Sequence, residues 1–267
     1  MKTLLVDGDM VLYGTIHAVS VEAEFDGEWV GPLVHLPTAR AEVSRRLEEI
    51  LERSGCSNMV VALSDHHNCW RKRVLPSYKH NRTGKKPVGW LALEASLPEL
   101  GYKTDARPGC EADDVLGILA TTRGSRGKTV IASDDKDLRT VPGYLMSVSG
   151  DDKPRRISRK AADLAHLRQA LMGDATDGYP GCPGVGPKTA DKILDEFVGP
   201  GTLTKKKIRE IWGLVLEEYE KAHTKGKLPV PIDESPQDFA LSQARVARIL
   251  RATEWDDTLK EPKLWTP

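Results

Sequence analysis

Three short apolar runs in the first half of the chain are each followed at once by aspartate. LLV leads into Asp7, VVALS into Asp65, and VIAS into Asp134, Asp135 and Asp137. Helical patterns separate these runs, and such alternation indicates a parallel sheet covered by helices. An aspartate after one strand is more often a turn residue, but three such strands favour a shared site. Because the carboxyl ends of parallel strands lie along one edge, the sequence predicts an α/β fold with these acids at that edge.

A fourth acidic stretch begins an apolar helical pattern. PGCEADDVLGILA, residues 108–120, contains Glu111, Asp113 and Asp114. A helix dipole stabilises one such acid by roughly 0.3–1 kcal/mol, whereas burying an unpaired carboxylate costs several kcal/mol. On an ideal helix Glu111 projects among the apolar residues, Asp114 lies at their border and Asp113 projects away, although a later helix start would let Asp113 reach inward. Cations are therefore needed, and divalent cations with oxygen ligands are the natural choice.

Asp174 and Asp177, in the stretch LMGDATDG, add a further acidic pair. The candidate metal ligands are Asp7, Asp65, Glu111, Asp113, Asp114, Asp135, Asp137, Asp174 and Asp177. One Mg²⁺ needs fewer ligands, so the number favours a two-metal site of the kind used for phosphoryl displacement. Rossmann glycines and a P-loop are absent from the sequence, which leaves a nucleotide cofactor without support.

The balance of charge and the cysteines limit the class of protein. The 267 residues include 39 Lys and Arg and 39 Asp and Glu, so the formal net charge is zero. Any binding of nucleic acid must therefore depend on local segregation of charge. The four cysteines are scattered without a CxxC pair, and no signal peptide or membrane-spanning run is evident. These features favour a soluble protein of the reducing cytoplasm without a membrane partner.

The segment WRKRVLPSYKHNRTGKK, residues 70–86, carries seven Lys and Arg and no acid. Aromatic residues alternate with these charges, which is typical of single-strand binding by phosphate contacts and base stacking, although a solvated basic loop is the alternative. The predicted DNA contacts are Arg71, Lys72, Arg73, Tyr78, Lys85 and Lys86. The adjacent His66 and His67 are expected to be turn or surface residues rather than metal ligands.

Helical patterns predominate beyond residue 157, and they enclose a stretch rich in glycine and proline, GYPGCPGVGPKTADKIL at 178–194. Its glycines suit a tight hairpin, and Pro187 suits the first turn of the next helix. Exposed amides at that helix start, with Lys188 beside them, form an anion site that would grip a duplex backbone without reading sequence. A plain helix–turn–helix corner is the alternative. The predicted contacts here are Gly184, Gly186, Lys188 and Thr189.

Several motifs taken in order resemble those of a known family. LVDGD, ALSD, YKHNR, EADD, SDDKDL and GDATDGYPGCPGVGPKTA are similar to motifs of the 5′-nuclease superfamily, which contains flap endonucleases and polymerase-associated 5′-3′ exonucleases. WRK, KKPVG, TDGY and the C-terminal ARILR…LW resemble the gene-six-type 5′-3′ exonucleases of short-tailed lytic phages most closely. The resemblance implies a PIN-like α/β nuclease core over 1–157, with a mostly parallel sheet and a basic arch-like segment at 70–88. It also implies a helical duplex-DNA-binding region over 158–267 with a helix–hairpin–helix at 178–197.

The resemblance further implies an activity and roles for the site residues. The activity is metal-dependent removal of nucleotides from 5′ ends of duplex DNA, with flap cleavage and cleavage of RNA–DNA hybrids as related activities. One Mg²⁺ or Mn²⁺ would be held by Asp7, Asp65, Glu111 and Asp113 and a second by Asp135, Asp137, Asp174 and Asp177, with Asp113 or Asp114 between them. Lys79 and Arg82 would contact the scissile phosphate, and the hairpin carbonyls of the family often hold a monovalent cation such as K⁺.

Two departures from the family pattern and two rival interpretations stay open. The stretch between Arg82 and the helix expected at residue 89 is short for the arch of a flap endonuclease, which leaves threading of a flap in question. Asp134 is an additional acid where many relatives carry a small residue. A non-catalytic, structure-specific DNA-binding protein is one alternative function, and a single-domain RNase is another.

Overall fold

A mixed arrangement of strands and helices makes up the computed structural model, which describes residues 2–82, 84, 86–125, 127–150, 152–229 and 235–267. The strands are β1 (Thr3–Asp7), β2 (Val21–Phe25), β3 (Glu28–Leu33), β4 (Asn58–Leu63), β5 (Thr104–Ala106), β6 (Thr129–Ala132), β7 (Gly143–Met146), β8 (Arg155–Ile157), β9 (Trp255–Asp256) and β10 (Glu261–Pro262). The α-helices are α1 (Gly8–Val19), α2 (Leu36–Ser54), α3 (Arg71–Val74), α4 (Trp90–Ser96), α5 (Ala112–Thr121), α6 (Arg159–Met172), α7 (Pro187–Leu194), α8 (Lys205–Thr224) and α9 (Pro236–Val246). Short 3₁₀ helices cover Lys136–Thr140, Asp195–Phe197 and Ala252–Glu254.

The main sheet has six strands in the order β5-β4-β1-β6-β7-β8. All neighbouring strands run parallel except β8, which is antiparallel to β7 at one edge. The three strands that lead into aspartate, β4, β1 and β6, are adjacent in the middle of the sheet. The prediction of a mostly parallel sheet flanked by helices is therefore confirmed, and the order of strands brings Asp7, Asp65 and Asp135 to the same edge.

The sheet is covered on both faces. Leu4 and Val6 of β1 pack into a cluster with residues of α1, α2 and α4, whereas Leu5 packs into a second cluster with α5. Successive residues of a strand point to opposite faces, so this short apolar run contributes to both cores. The run is apolar throughout because the strand is buried on both sides.

The helical part of the chain has a core of its own, formed by residues of α6, α7, α8 and α9. Ser158 caps α6 as the sequence predicts, since its hydroxyl accepts a hydrogen bond from the amide of Ala161 at 3.1 Å. The chain then returns after α9, because Ile249, Leu250 and Trp255 belong to the cluster around α5. The core of the helical part is built from residues after 157, but the last part of the chain packs on α5, so the division into two domains at residue 157 stays a prediction.

Gly117 of α5 shows how closely this return packs. A Cβ atom at this position would lie 2.4 Å from the carbonyl oxygen of Leu250.

Within the described residues, no helix is both long enough and apolar enough to span a membrane.

Candidate active site

Asp7 and Asp135 are held beside each other at the carboxyl edge of the sheet by Ser133. Asp7 caps α1, accepting hydrogen bonds from the amide of Met10 at 3.1 Å and the hydroxyl of Ser133 at 2.8 Å. The same hydroxyl accepts the amide hydrogen of Asp135 at 3.1 Å, and the Asp135 carboxylate accepts the amide hydrogen of Asp137 at 2.8 Å. Local turn and cap bonds therefore orient both carboxylates.

Like charges converge on this edge. Burial raises the pKa of the Asp7 carboxyl to about 6, with smaller contributions from the charges of Asp9 and Asp135. Asp113, in the first turn of α5, has a pKa well above its ordinary value because of burial and the charges of Asp7 and Asp135. A fold that holds carboxylates together in this way favours binding of a cation.

A second group of carboxylates surrounds Asp137 and also lies near Asp135. Burial and the charges of Asp135 and Asp174 raise the pKa of Asp137 to about 7. Its carboxylate accepts a hydrogen bond from Gln169 at 2.5 Å. The Lys136 ammonium lies 2.6 Å from Asp174; burial alone would raise the Asp174 pKa, but the hydrogen bond from Lys136 keeps it below its ordinary value.

Asp135 is common to the two groups, because its charge raises the pKa values of Asp7, Asp113 and Asp137. Asp135 therefore lies near acids of both groups. The resemblance implies Asp113 or Asp114 between two metals, and which acid would be shared stays a prediction.

Glu111 is surrounded by donors. The Lys79 ammonium lies 2.5 Å from its carboxylate, and the Tyr78 hydroxyl donates a hydrogen bond to it at 2.9 Å. Burial would raise the Glu111 pKa, but the charges of Arg71 and Lys79 lower it to about 2. Glu111 is therefore ionised at neutral pH.

Asp177 connects this group to the basic segment. Its carboxylate accepts hydrogen bonds from the Tyr78 hydroxyl at 3.0 Å and from the Arg82 guanidinium at 2.6 Å. The Lys79 ammonium lies 3.6 Å from the same carboxylate. Both cations that were predicted to contact the scissile phosphate are thus held by acids of the site.

Asp114 lies in the interior with every oxygen engaged. It is 0% exposed, and it receives hydrogen bonds from Arg71 at 2.7 and 2.8 Å and from Trp70 at 2.9 Å. The amide of Leu250 donates a further bond at 3.1 Å. An ion pair with Arg71 satisfies Asp114 in the structure without a metal, which gives it an interior structural role. That it is also a ligand or a bridge stays a prediction.

Asp65 lies at the same edge but has a structural task. One of its oxygens accepts the amide hydrogens of His67 at 2.9 Å and Asn68 at 3.2 Å, and the other accepts that of Gly109 at 2.8 Å. Burial would raise its pKa, but these backbone bonds lower it. Its part in binding a metal stays a prediction. Asp134 similarly caps a turn, accepting hydrogen bonds from the amides of Val148 and Ser149 at 3.2 Å.

The basic segment needs a correction. Arg71 is 3% exposed and Tyr78 is 2% exposed, so neither can stack on a base or reach a phosphate from the surface. Lys72 and Arg73 are exposed, as a DNA contact requires. Lys86 is exposed and contacts His66 and the ring of Trp90, while Lys85 lies outside the described residues.

A glycine-lined hairpin joins α6 to α7. Gly173 and Gly181 have φ angles of 68° and 64°, and a Cβ atom on Gly173 would lie 2.4 Å from the nitrogen of Gly181. This close approach folds the loop that carries Asp174 and Asp177 against the hairpin. The predicted DNA contacts Gly184, Gly186, Lys188 and Thr189 are all exposed, and Pro187 begins α7 as predicted.

Sequence reasoning missed the residues that orient these acids. Ser133 precedes a run of aspartates and offered a weak signal as a turn residue, whereas Gln169 in the middle of α6 offered none. It also missed Glu94, which contacts His66, and Asp9, which has a carboxylate oxygen within 4.8 Å of their ligand atoms. Such contacts depend on tertiary packing between elements far apart in the chain.

Comparison with known proteins identifies relatives of this chain. The family described as 5′-3′ exonuclease, N-terminal resolvase-like domain, matches residues 2–157. The exodeoxyribonuclease of Enterobacteria phage T3 is 30% identical over 287 residues, covering 99% of this chain and 92% of the relative. The exonuclease of Escherichia phage T7 is 31% identical over 286 residues, covering 99% and 93%. A flap endonuclease Xni of Vibrio campbellii is 34% identical over 157 residues, covering 52% and 59%.

Solved structures share the fold at lower identity. The T5 5′-exonuclease with bound zinc ions has a TM-score of 0.57 at 16% identity, covering 93% of this chain and 100% of the other. A phage T5 flap endonuclease, in a pseudo-enzyme–product complex with DNA and metal ions, has a TM-score of 0.55 at 16% identity and covers 92% and 99%. The fold, the family match over the whole α/β core and the phage relatives along nearly the full length agree, and the chain belongs to the 5′-3′ exonuclease family.

Proposed function

We propose that this exonuclease removes nucleotides from the 5′ ends of double-stranded DNA by a two-metal hydrolysis of phosphodiester bonds. The observation that carries the proposal is the convergence of carboxylates at the carboxyl edge of the sheet, where the charge of Asp135 acts on Asp7, Asp113 and Asp137. In α/β folds this edge is where ligands bind. Exposed basic residues and a glycine-lined hairpin lie on the segments that border it.

The donors fit hard divalent cations, and we propose Mg²⁺ or Mn²⁺. All of them are carboxylate oxygens, which suit Mg²⁺ and Mn²⁺ better than imidazole or thiolate ligands would. Asp7, Asp113 and Asp135, with Glu111 and Asp65 at the border, would hold one ion. Asp135 would also take part in the second site, whose further ligands would be Asp137, Asp174 and Asp177. Bound cations would lower the pKa of an attacking water and stabilise charge on the attacking and leaving oxygens.

Lys79 and Arg82 would neutralise charge on the reacting phosphate. In the structure Lys79 is held by Glu111 and Asp177, and Arg82 is held by Asp177. Cations bound by these acids would compete for the same carboxylates and release both side chains toward a phosphate. Preorganised cations of this kind stabilise the charge that develops on the equatorial oxygens. Tyr78 would keep Glu111 and Asp177 in position, since its hydroxyl bonds to both.

The hairpin between α6 and α7 would hold the duplex. The exposed start of α7 offers backbone amides, and Lys188 and Thr189 lie in its first turn. Such a motif grips phosphates independently of sequence, and we propose that K⁺ binds at its carbonyls. Lys72, Arg73 and Lys86 would extend the contact along the arch-like segment. We place this activity in the cytoplasm, without a membrane partner or a nucleotide cofactor.

A chelation experiment tests the reaction. Duplex DNA labelled at its 5′ or its 3′ end is incubated with the full chain in Mg²⁺ or in EDTA. We expect release of label from the 5′ end in Mg²⁺ alone. Cleavage that survives EDTA, or release from the 3′ end first, would contradict the proposal.

Flap cleavage as the main activity is the second candidate, and it is favoured by the similarity to a flap endonuclease. A 5′-recessed duplex, a blunt duplex and a 5′ flap blocked by a bulky group would distinguish the two. Preference for the first two substrates supports the exonuclease, and loss of activity on the blocked flap alone supports threading. A matched RNA–DNA hybrid tests whether RNA is also removed. A protein that binds DNA without cleaving it would leave all these substrates intact.

A further inference from the structure

Asp9, His66 and Glu94 form a cluster that adjoins the carboxylate group around Asp7, since the charge of Asp9 acts on Asp7. Asp9 is in the first turn of α1, His66 follows β4, and Glu94 is on α4. One ligand atom from each lies within 4.8 Å of the other two. Among the described residues, no other group of three histidines, cysteines or acids comes this close together.

The ligand atoms of this cluster are already oriented. Glu94 Oε2 lies 2.6 Å from His66 Nε2 and accepts a hydrogen bond from Trp90 Nε1 at 2.9 Å. The side chains of His66 and Glu94 are 14% and 20% exposed, and Trp90 is buried. Metal-binding histidines and carboxylates are typically fixed by such outer hydrogen bonds.

A side-chain cation marks the place. The Lys86 ammonium lies 2.5 Å from His66 Nδ1 and 3.0 Å from Nε2, and 4.1 Å from the centre of the Trp90 ring. Lys86 is exposed and comes from the end of the arch-like segment, so it can leave without disturbing the core. The Lys86 ammonium thus contacts the imidazole of this cluster and the Trp90 ring beside it, within the field of Asp9 and Glu94.

We propose that Asp9, His66 and Glu94 bind a transition-metal dication of the Zn²⁺ class, in competition with the Lys86 ammonium. One imidazole and two carboxylates, with an open fourth position, are a ligand set that suits Zn²⁺. The imidazole distinguishes the site from the all-carboxylate groups, which favour Mg²⁺ or Mn²⁺. A cluster satisfied by Lys86 alone is the competing interpretation.

A metal ion and the Lys86 ammonium are expected to exclude each other, because both need the ring nitrogens of His66. In the structure Nε2 can donate to Glu94 while Nδ1 accepts from Lys86. A metal bound at Nε2 requires the ring proton to be on Nδ1, where it would face the Lys86 ammonium. Metal binding thus releases Lys86. If the proposed nuclease function is right, the released side chain would be available to a DNA phosphate; the metal site itself does not depend on that function.

Metal binding is measured on the full chain by equilibrium dialysis against Zn²⁺, with Mg²⁺ in large excess to occupy the carboxylate groups. His66→Gln and Glu94→Gln should weaken Zn²⁺ binding by at least the roughly 10–100-fold that loss of an orienting partner alone causes. Lys86→Ala should tighten it, because the competing cation is gone. His67→Gln, at the exposed neighbouring histidine, is the matched control and should bind Zn²⁺ like the unaltered chain.

Two outcomes would overturn the proposal. One is equal Zn²⁺ binding by His66→Gln and His67→Gln, and the other is Lys86→Ala with affinity no higher than that of the unaltered chain. Misfolding could explain weaker Zn²⁺ binding by a variant, but it could not explain the tighter binding expected of Lys86→Ala. Because the readout is bound zinc rather than cleavage, the result is independent of whether the nuclease proposal succeeds.

Discussion

Arg71 and Asp114 form a bidentate ion pair in the interior, with nitrogen–oxygen distances of 2.7 and 2.8 Å. The remaining donors of Arg71 bond to the carbonyls of Val246 and Arg248 and to the carboxylate of Glu111. One side chain thus joins the basic segment, the acidic start of α5 and the chain after α9. The pair connects the helical part of the protein to the position of Glu111 in the site.

Asp114→Asn should therefore destabilise the protein strongly. Removing one partner of a buried ion pair leaves an uncompensated charge, which typically costs about 3–5 kcal/mol. The free energy of unfolding, measured by urea denaturation in EDTA, should fall by that amount. The reading in EDTA avoids any contribution from bound cations.

Asp113→Asn is the matched control, one residue away in the same turn. The pKa of Asp113 is raised by burial and by neighbouring acids, so losing its charge should not lower stability in EDTA. We expect this variant to fold and to lose cleavage instead. Equal loss of stability in the two variants would contradict the different roles assigned to the adjacent aspartates.

Asp135→Asn should abolish cleavage and leave duplex binding largely intact. The charge of Asp135 acts on acids of both groups, and its removal would take a ligand from each proposed cation site. Asp134→Asn is the control, because Asp134 caps a turn through Ser147 and Ser149 instead of facing the acids. Cleavage at the normal rate by Asp135→Asn would show that the metal assignment is wrong.

Stability without metal should fall as the pH rises from about 5 to 7. The pKa values of Asp7 and Asp137 are about 6 and about 7 in the folded protein, above the ordinary value of 3.8. The folded chain therefore keeps protons that the unfolded chain has lost, and raising the pH through this window favours unfolding. Glu111, whose pKa is about 2, is ionised throughout the window and does not contribute to it.

Thermal melts in EDTA between pH 5 and 8 check this trend, and Asp137→Asn isolates one of its sources. The variant should lose less stability than the unaltered chain across the window. Added Mg²⁺ should raise the melting temperature more at pH 8 than at pH 5, since ligands must be deprotonated to bind it. A melting temperature that climbs between pH 5 and 7 in EDTA would contradict the argument.

The convergence of acids was predictable because it depends on a regular feature of the fold. The strands that lead into Asp7, Asp65 and Asp135 are neighbours in the parallel part of the sheet, so their carboxyl ends must meet. An apolar run followed by aspartate carries this information in the local sequence. The strand ends alone therefore predict that these acids lie at one edge of the sheet; that they form the active site stays a prediction.

The roles of Asp113 and Asp114 could not be predicted in the same way. Adjacent residues on a helix point about 100° apart, so an error of one residue in the helix start exchanges their directions. The sequence around Asp114 contains no basic partner, and this absence favoured a metal. The partner is Arg71, which lies 43 residues earlier and reaches Asp114 only through tertiary packing.

The burial of two predicted DNA contacts in the basic segment could not be predicted for a related reason. Seven positive charges without an acid indicate a surface that faces DNA, and sequence alone does not reveal which residues turn inward. Arg71 and Tyr78 are buried because α3 and the following turn pack against α9 and the acids. The three-residue strand β5 was missed as well, since TDA is too short and polar to resemble a strand.

Tyr78→Phe tests the buried role of this ring. The variant removes the hydroxyl that bonds to Glu111 and Asp177. Hydrogen bonds to charged groups contribute about 1.5–3 kcal/mol each. We expect slower cleavage and weaker binding of Mg²⁺. The affinity for single-stranded DNA should not change, because the ring itself is not accessible. Weaker binding of single strands with normal cleavage would restore the interpretation of Tyr78 as a stacking surface.

Lys188→Ala should weaken duplex binding to a similar degree for every sequence. Lys188 is exposed in the first turn of α7, where a contact to phosphate carries no base information. Losing one phosphate contact should reduce the slope of log affinity against log salt concentration by about 1. Lys221→Ala is the control, because Lys221 lies near the end of α8 and pairs with Glu218 at 2.7 Å. Titrations of a labelled duplex at several salt concentrations measure both slopes; if they are equal, the hairpin is a structural corner and the duplex is held elsewhere.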